Sequence, residues 1–408
     1  MPGPFPENKF PAALKKGRGG EGAATASRLA DIAPFRVMEI LARARELERA
    51  GRSVVHMEIG EPDFPTPKPI CEAGIAALEK GELYYTPAQG LPALREAIAR
   101  YYRTRYGIDV PASRIIVTTG SSGALLLAVS ALVDPGDRVL LADPGYPCNR
   151  HFVRLAEGEP VSIPVGPDSN YQLTAELLER CWDNRTVAAL VASPSNPTGT
   201  IVPAQQIKAM AELARARGGT LIVDEIYHGL VYEGDITTAL ALSDEVFVIN
   251  SFSKYFNMTG WRLGWMVVPE ACVAEIDKLA QNVFLAAPTP AQYAALAAFE
   301  PRTLEILEAR RAEFKARRDY LVPALRALGF DIPQSPQGAF YIYAECSRLT
   351  RDSFGFARDL LEEAGVAITP GVDFGAHAPE RHVRFAYTNA LARLQEGVRR
   401  IDAFLRAR

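Results

Sequence analysis

Between about residue 70 and residue 300 the chain alternates two kinds of pattern. Short apolar runs read RIIVTTG (114–120), RVLLADPG (138–145), VAALVASPS (187–195), TLIVDEIY (220–227), VFVINSFS (246–253) and RLGWMVVP (262–269). Between them lie amphipathic stretches such as QQIKAMAELARARG (205–218), with apolar residues three and four apart. Runs that are apolar throughout, rather than at every second position, predict strands buried on both faces. Alternation with helices predicts an α/β fold whose sheet is mostly parallel.

Outside that region the pattern changes. ARARELERAG (42–51) reads as a helix stopped by Gly51, and 302–328 as one long charged amphipathic helix or a pair. The tail mixes strands (AFYIYAE, HVRFAYT) with helices (SFGFARDLLEEAG, LARLQEGVRRIDAFLRA). This shift predicts a large domain over 66–299 and a smaller α+β domain over 300–408, to which 28–65 adds an N-terminal part. Residues 1–27, rich in Gly, Pro and Ala, read as a flexible leader.

Composition narrows the function class. The 408 residues are 48% hydrophobic and 23% charged with a net charge of −3, so no broad cationic surface for nucleic acid is expected. The N-terminus has no apolar core of signal-peptide length. Val283–Phe299 is broken by Pro288, Pro290 and Gln292, so no membrane span is expected and a cytoplasmic location is. Five scattered cysteines without a CxxC predict reduced thiols, and five dispersed histidines predict no metal site.

Three short motifs mislead. Gly17, Gly19 and Gly22 spell GxGxxG but follow no β-run, which a dinucleotide site requires. Ser251-Phe252-Ser253-Lys254 spells SxxK without the SDN and KTG companions of penicillin-binding enzymes. Asn184 and Asn257 fit glycosylation sequons in a chain with no expected route to that machinery.

The chemistry collects where the predicted strands end. Gly120-Ser121-Ser122-Gly123, Pro144-Gly145-Tyr146, Pro194-Ser195-Asn196, Asp224-Glu225-Ile226-Tyr227 and Ser251-Phe252-Ser253-Lys254 each follow one apolar run. Ligands of open α/β sheets bind beyond the carboxyl ends of the strands. The GSSG turn at a helix start suits a phosphate, and Arg262, Ser251 and Ser253 add donors. Asp224 at the end of an apolar strand calls for a cationic partner such as a protonated ring nitrogen. Tyr146 offers a flat face, and Asn196 and Tyr227 offer donors to a phenolate oxygen. Lys254, near another cation and partly desolvated, should be a competent nucleophile toward an aldehyde. Phosphate, ring, ring nitrogen, phenolate and aldehyde together describe pyridoxal 5′-phosphate.

From about Arg28 to the end, the sequence resembles the class I/II aminotransferases of the fold-type I pyridoxal phosphate superfamily, in the aspartate, aromatic and alanine aminotransferase-like subgroup. SFSKYFNMTGWRLG (251–264) is similar to that family's lysine signature. SPSNPTG, DEIY, HVRFAY, EIGEPDFPTP (58–67) and YYTPAQGLPALREAI (84–98) fall in its order. The resemblance implies a seven-stranded sheet in the large domain and an amino-group transfer between an L-amino acid and a 2-oxo acid by a ping-pong cycle. Lys254 would hold the cofactor and move the substrate's Cα proton, and Asp224 would keep the ring nitrogen protonated. Asn196 and Tyr227 would bond the phenolate, Tyr146 would stack on the ring, and Gly120, Ser121, Ser122, Ser251, Ser253 and Arg262 would hold the phosphate. Arg384 would clamp the substrate's α-carboxylate, with Asn196 and Gly60 beside it. Tyr85 would reach the phosphate of a neighbouring subunit, which implies a homodimer with shared sites.

One departure bears on the substrate. Subgroup members that use aspartate often have a lysine in the phosphate loop, as GGKQ, where this chain has Ser122. A neutral donor (alanine, branched-chain, methionine or aromatic) is therefore expected, with glutamate or 2-oxoglutarate as the second partner. Two other functions fit the same scaffold: C–S β-elimination, and a non-catalytic sensor of the kind fused to DNA-binding domains.

Overall fold

The computed structural model describes residues 25–81, 83–234 and 236–408. Most of the leader expected over 1–27, with its GxGxxG, lies outside them. Strand β1 (Val55–His56) precedes the central sheet of β2 (Ile115–Thr118), β3 (Arg138–Asp143), β4 (Glu159–Pro164), β5 (Thr186–Ala192), β6 (Thr220–Asp224), β7 (Phe247–Ser251) and β8 (Gly264–Val267). After it come β9 (Tyr341–Glu345), β10 (Val366–Ala367), β11 (Thr369–Pro370) and β12 (His382–Ala386).

The seven central strands run in the order β2-β8-β7-β6-β5-β3-β4. Only β8 opposes its neighbours, β2 and β7, so the other six strands share one direction. Successive side chains of one strand enter different cores. Leu221 and Val223 join one apolar cluster with Val191 and Val248, whereas Ile222 joins another with Leu190 and Ile249. Both faces are thus covered, as runs apolar at every position require. The seventh strand, β4, is missing from the runs picked out in the sequence. Its EPVSIP carries two prolines, which an edge strand tolerates because one side of it needs no donors.

β1 pairs in parallel with β10, joining the start of the chain to its tail, and β11-β12-β9 form a separate antiparallel sheet. The stretch expected as one helix or two is a single helix, Pro301–Ala327, that buries Leu307, Phe314 and Leu321 at heptad spacing. SFGFARDLLEEAG splits into the helix Ser353–Asp359 and a π-helical turn, Leu360–Ala364. The five cysteines are free thiols. Among the described residues no helix is long and apolar enough to cross a membrane.

Candidate active site

Because six strands share a direction, β2, β3, β5, β6 and β7 deliver their following loops to one edge of the sheet. At the end of β2 the helix Gly120–Leu132 opens with GSSG, placing Ser121 and Ser122, both half-buried, in its first turn. Arg262, at φ 54°, lies across that helix start and donates from Nη1 to the Thr259 carbonyl at 3.0 Å. A Cβ on Gly120 (φ 73°) would sit 2.8 Å from Arg262 Nη2, so the glycine keeps the guanidinium against the helix start. Exposed amides, a helix dipole and a cation therefore converge there.

The β3 loop presents half-buried Tyr146 and is stitched to the tail. Gly145 N donates to Phe374 O at 2.8 Å, and the Asp143 carboxylate accepts from Ala376 N at 2.8 Å. After β5, buried Asn196 accepts through Oδ1 from Arg384 Nη1 at 2.9 Å. Arg384 comes from β12 and is itself buried. Its Nη2 donates to the Glu58 carbonyl at 2.6 Å and to Thr369 Oγ1 at 3.2 Å, while its Nε has no partner among the described residues. The guanidinium lies over the rings of Tyr341, at 4.3 Å, and Phe374, at 4.8 Å.

Asp224 closes β6. Its carboxylate's one hydrogen bond among the described residues comes from Ile226 N at 3.0 Å, and burial pushes the carboxyl up to about 7 against the pull of that N–H and of Lys254. Three residues on, Tyr227 is buried with its hydroxyl 2.9 Å from that of Tyr341. Lys254 follows β7 and donates to the Gly60 carbonyl at 2.6 Å. Burial lowers its amine to about 8, the nearby Arg384 and Arg262 charges add to this, and Glu61 and Asp224 oppose it. An amine near 8 has a sizeable neutral fraction at physiological pH, which a nucleophile toward a carbonyl carbon needs. Ser251 and Ser253 are buried and turned toward each other: Ser251 Oγ donates within reach of Ser253 Oγ (2.9 Å) and the Leu263 carbonyl (3.1 Å). They brace the turn that carries Lys254.

Lys254 bonds Gly60, two residues on from the Glu58 carbonyl that holds Arg384, which in turn bonds Asn196, and Gly120 lies against Arg262. Tyr85 stands apart, 83% exposed, beside exposed Tyr84 and Leu83. Tyr341, Thr369 and Phe374 are contributors that the sequence reading lacked. FYIY looks like any buried strand, and nothing in GVDFG marks Phe374 as a lid on an arginine.

Residues 52–401 match the family model for aminotransferase class I and II. The chain is 41% identical to a valine–pyruvate aminotransferase of Mycobacterium tuberculosis, over 92% of this chain and 97% of that one. It is 39% identical to a (5-formylfuran-3-yl)methyl phosphate transaminase of Methanocaldococcus jannaschii, over 93% and 98%. A crystal structure of an aminotransferase from Mycobacterium tuberculosis superposes with a TM-score of 0.91 at 40% identity, covering 95% of this chain and all of that one. The chain belongs to the class I and II aminotransferases.

This aminotransferase depends on pyridoxal 5′-phosphate, as its family does, and has the fold-type I architecture expected from the sequence. The residues present suit that cofactor. Asp224 is a buried carboxylate with no cation in ion-pair contact among the described residues, a state that a protonated ring nitrogen would relieve. The amides of GSSG and the Arg262 guanidinium form a donor set of the kind a phosphate dianion needs. Lys254 is depressed enough to meet an aldehyde.

Proposed function

We propose that this aminotransferase takes a neutral L-amino acid as donor and a 2-oxo acid as acceptor in a ping-pong cycle. The observation that carries the reading is Arg384, a buried cation whose Nε has no partner among the described residues, held by Asn196 and the Glu58 carbonyl two residues from Gly60. A buried guanidinium with spare donors is a carboxylate receptor. Ser122 puts no positive charge in the phosphate loop to meet a second carboxylate. The valine–pyruvate relative supports the same donor class.

When bound, pyridoxal phosphate supplies an electron sink for the carbanion at the substrate's Cα. The rest belongs to the chain. Arg384 and Asn196 would fix the α-carboxylate and so orient the substrate's Cα toward Lys254. The Lys254 amine, neutral in part at pH 7–8, moves the proton at that carbon. Asp224 would hold the ring nitrogen's proton, Tyr146 would pack on the ring, and Tyr227 and Asn196 would donate to its phenolate oxygen. Ser121, Ser122 and Arg262 anchor the phosphate, with Ser251 and Ser253 supporting that turn.

We also propose a cytoplasmic homodimer in which Tyr85 completes the partner's phosphate site. Exposed Ile75, Leu78, Leu83, Tyr84, Tyr85, Val283 and Leu285 supply an apolar surface for such an interface. The division into large (66–299) and small (28–65 with 300–408) domains is supported by the β1–β10 pairing.

A donor screen against pyruvate and 2-oxoglutarate tests the substrate class. Neutral donors should exceed aspartate in kcat/KM by about tenfold or more. Aspartate as the best donor would overturn the substrate class. Pyruvate and ammonia from cystathionine, with no product amino acid, would overturn the transfer itself.

A further inference from the structure

We propose that Tyr341 is a positioning residue: its hydroxyl donates to the Tyr227 hydroxyl and so commits the Tyr227 proton to the cofactor's phenolate oxygen. The inference rests on the reading that Tyr227 faces that oxygen.

Two phenols bonded to each other share the contact through one proton, which leaves the other proton for a third group. Tyr227 and Tyr341 are both buried, with hydroxyls 2.9 Å apart and rings edge to face. Among the described residues each hydroxyl has only the other as a hydrogen-bond partner. Tyr341 is locked in place. Its ring lies under the Arg384 guanidinium at 4.3 Å, and its hydroxyl rests on Gly60, where a Cβ would overlap the oxygen. The Gly60 carbonyl is occupied by Lys254 Nζ.

Two effects decide which phenol donates. The Arg384 charge over the Tyr341 ring favours loss of its proton and makes it the stronger donor. Burial raises both hydroxyls, Tyr227 well above its ordinary value; the Arg384 charge opposes the rise at both, and at Tyr341, whose ring it covers, it is the main opposing influence. Across the site a phenolate oxygen is a charged acceptor and outcompetes a neutral hydroxyl for the Tyr227 proton. The chain Tyr341 to Tyr227 to phenolate then runs in one direction, each bond polarising the next. A better-solvated phenolate has less need of the proton it shares with the lysine-linked nitrogen. The pH at which the cofactor's absorbance changes should therefore be lower with Tyr341 than without it.

The readout is that absorbance midpoint, in cofactor-loaded protein without substrate. Tyr341→Phe keeps the ring under Arg384 and removes only the hydroxyl. Its midpoint should rise by about 0.5 to 1 pH unit, the value of one net hydrogen bond. KM for the amino acid should stay within about twofold, because the carboxylate receptor is untouched. Tyr227→Phe should raise the midpoint further, and Tyr341→Phe added to it should have no further effect. An unmoved or lowered midpoint in Tyr341→Phe, or an equal shift in the Tyr227→Phe background, would overturn the inference. If Tyr227→Phe itself leaves the midpoint unmoved, the placement of Tyr227 fails first. If only Tyr341→Phe leaves it unmoved, that placement stands and this inference alone fails.

Discussion

Arg262 and Arg384 are alike in type and opposite in setting. Arg262 is exposed against a helix start, and Arg384 is buried between two rings. Arg384→Lys should raise KM for amino acids by about tenfold or more while leaving cofactor bound, because an ammonium lacks the planar fork that can pair a carboxylate bidentately while still donating to Asn196 and Glu58. Arg262→Ala should instead weaken cofactor retention, measured by equilibrium dialysis, and the reverse pattern would mean the two roles are exchanged. Asp224 illustrates stability given up for function. Its carboxyl titrates near 7 when folded against 3.8 as the ordinary value, so the folded chain holds the extra proton between those limits. Stability therefore falls as pH rises from about 4 to 7, and the penalty is complete above 7. Asp224→Asn should make cofactor-free protein more resistant to urea at pH 8, by on the order of 1 kcal/mol or more, while turnover drops at least about a hundredfold. At this scale the sequence was most legible where a polar residue closed an apolar run, as at Asp224 and Lys254. It was least legible at Tyr341, whose neighbours make it look like packing.

At the scale of elements, short segments near the N-terminus do work disproportionate to their length. β1 leads directly into Glu58, whose carbonyl holds Arg384 while its buried carboxylate accepts from His56 at 2.7 Å. His56 is also 3.1 Å from Glu48 on the helix Arg36–Arg49. Donating to the Glu58 carboxylate raises His56 to about 9, Glu48 adds to this, and partial burial opposes it. The folded value lies above the ordinary 6.5, so this contribution is complete below 6.5 and is lost as pH rises through 9. His56→Gln should lower the urea midpoint at pH 6, with the deficit shrinking as pH approaches 10. A deficit independent of pH would show that only packing was lost. Strands that cross the core announce themselves by apolar runs. β4 does not, because an edge needs less apolar surface, and the π-helical turn at Leu360–Ala364 leaves no periodic trace.

For the whole molecule, the exposed Tyr85 and its apolar surroundings predict that neither subunit is sufficient alone. Lys254→Ala and Tyr85→Ala variants should each be impaired. Refolded together, they should form hybrids in which one site has both Lys254 and the partner's tyrosine. Recovered activity of about a quarter of the parent is expected from random pairing, with one good site per hybrid. No recovery would place Tyr85 in its own subunit's site or outside any site. The overall architecture was readable because its sheet is long and apolar; the interface proposed around Tyr85 came only from the family resemblance, because an exposed tyrosine carries no partner in its own sequence.

The pairing of Val55 with Val366 has a consequence for the order of events at birth. On a ribosome, the first segment of the chain emerges long before its partner strand. It must wait, unpaired, until more than three-quarters of the protein has been made. The Arg384 cluster proposed to receive the carboxylate, built from residues 58, 196, 369 and 384, is therefore among the last features to form. The Lys254 turn and the GSSG helix start can settle earlier, within the central sheet. A nascent chain should thus acquire the means to hold its cofactor before it can grip a substrate.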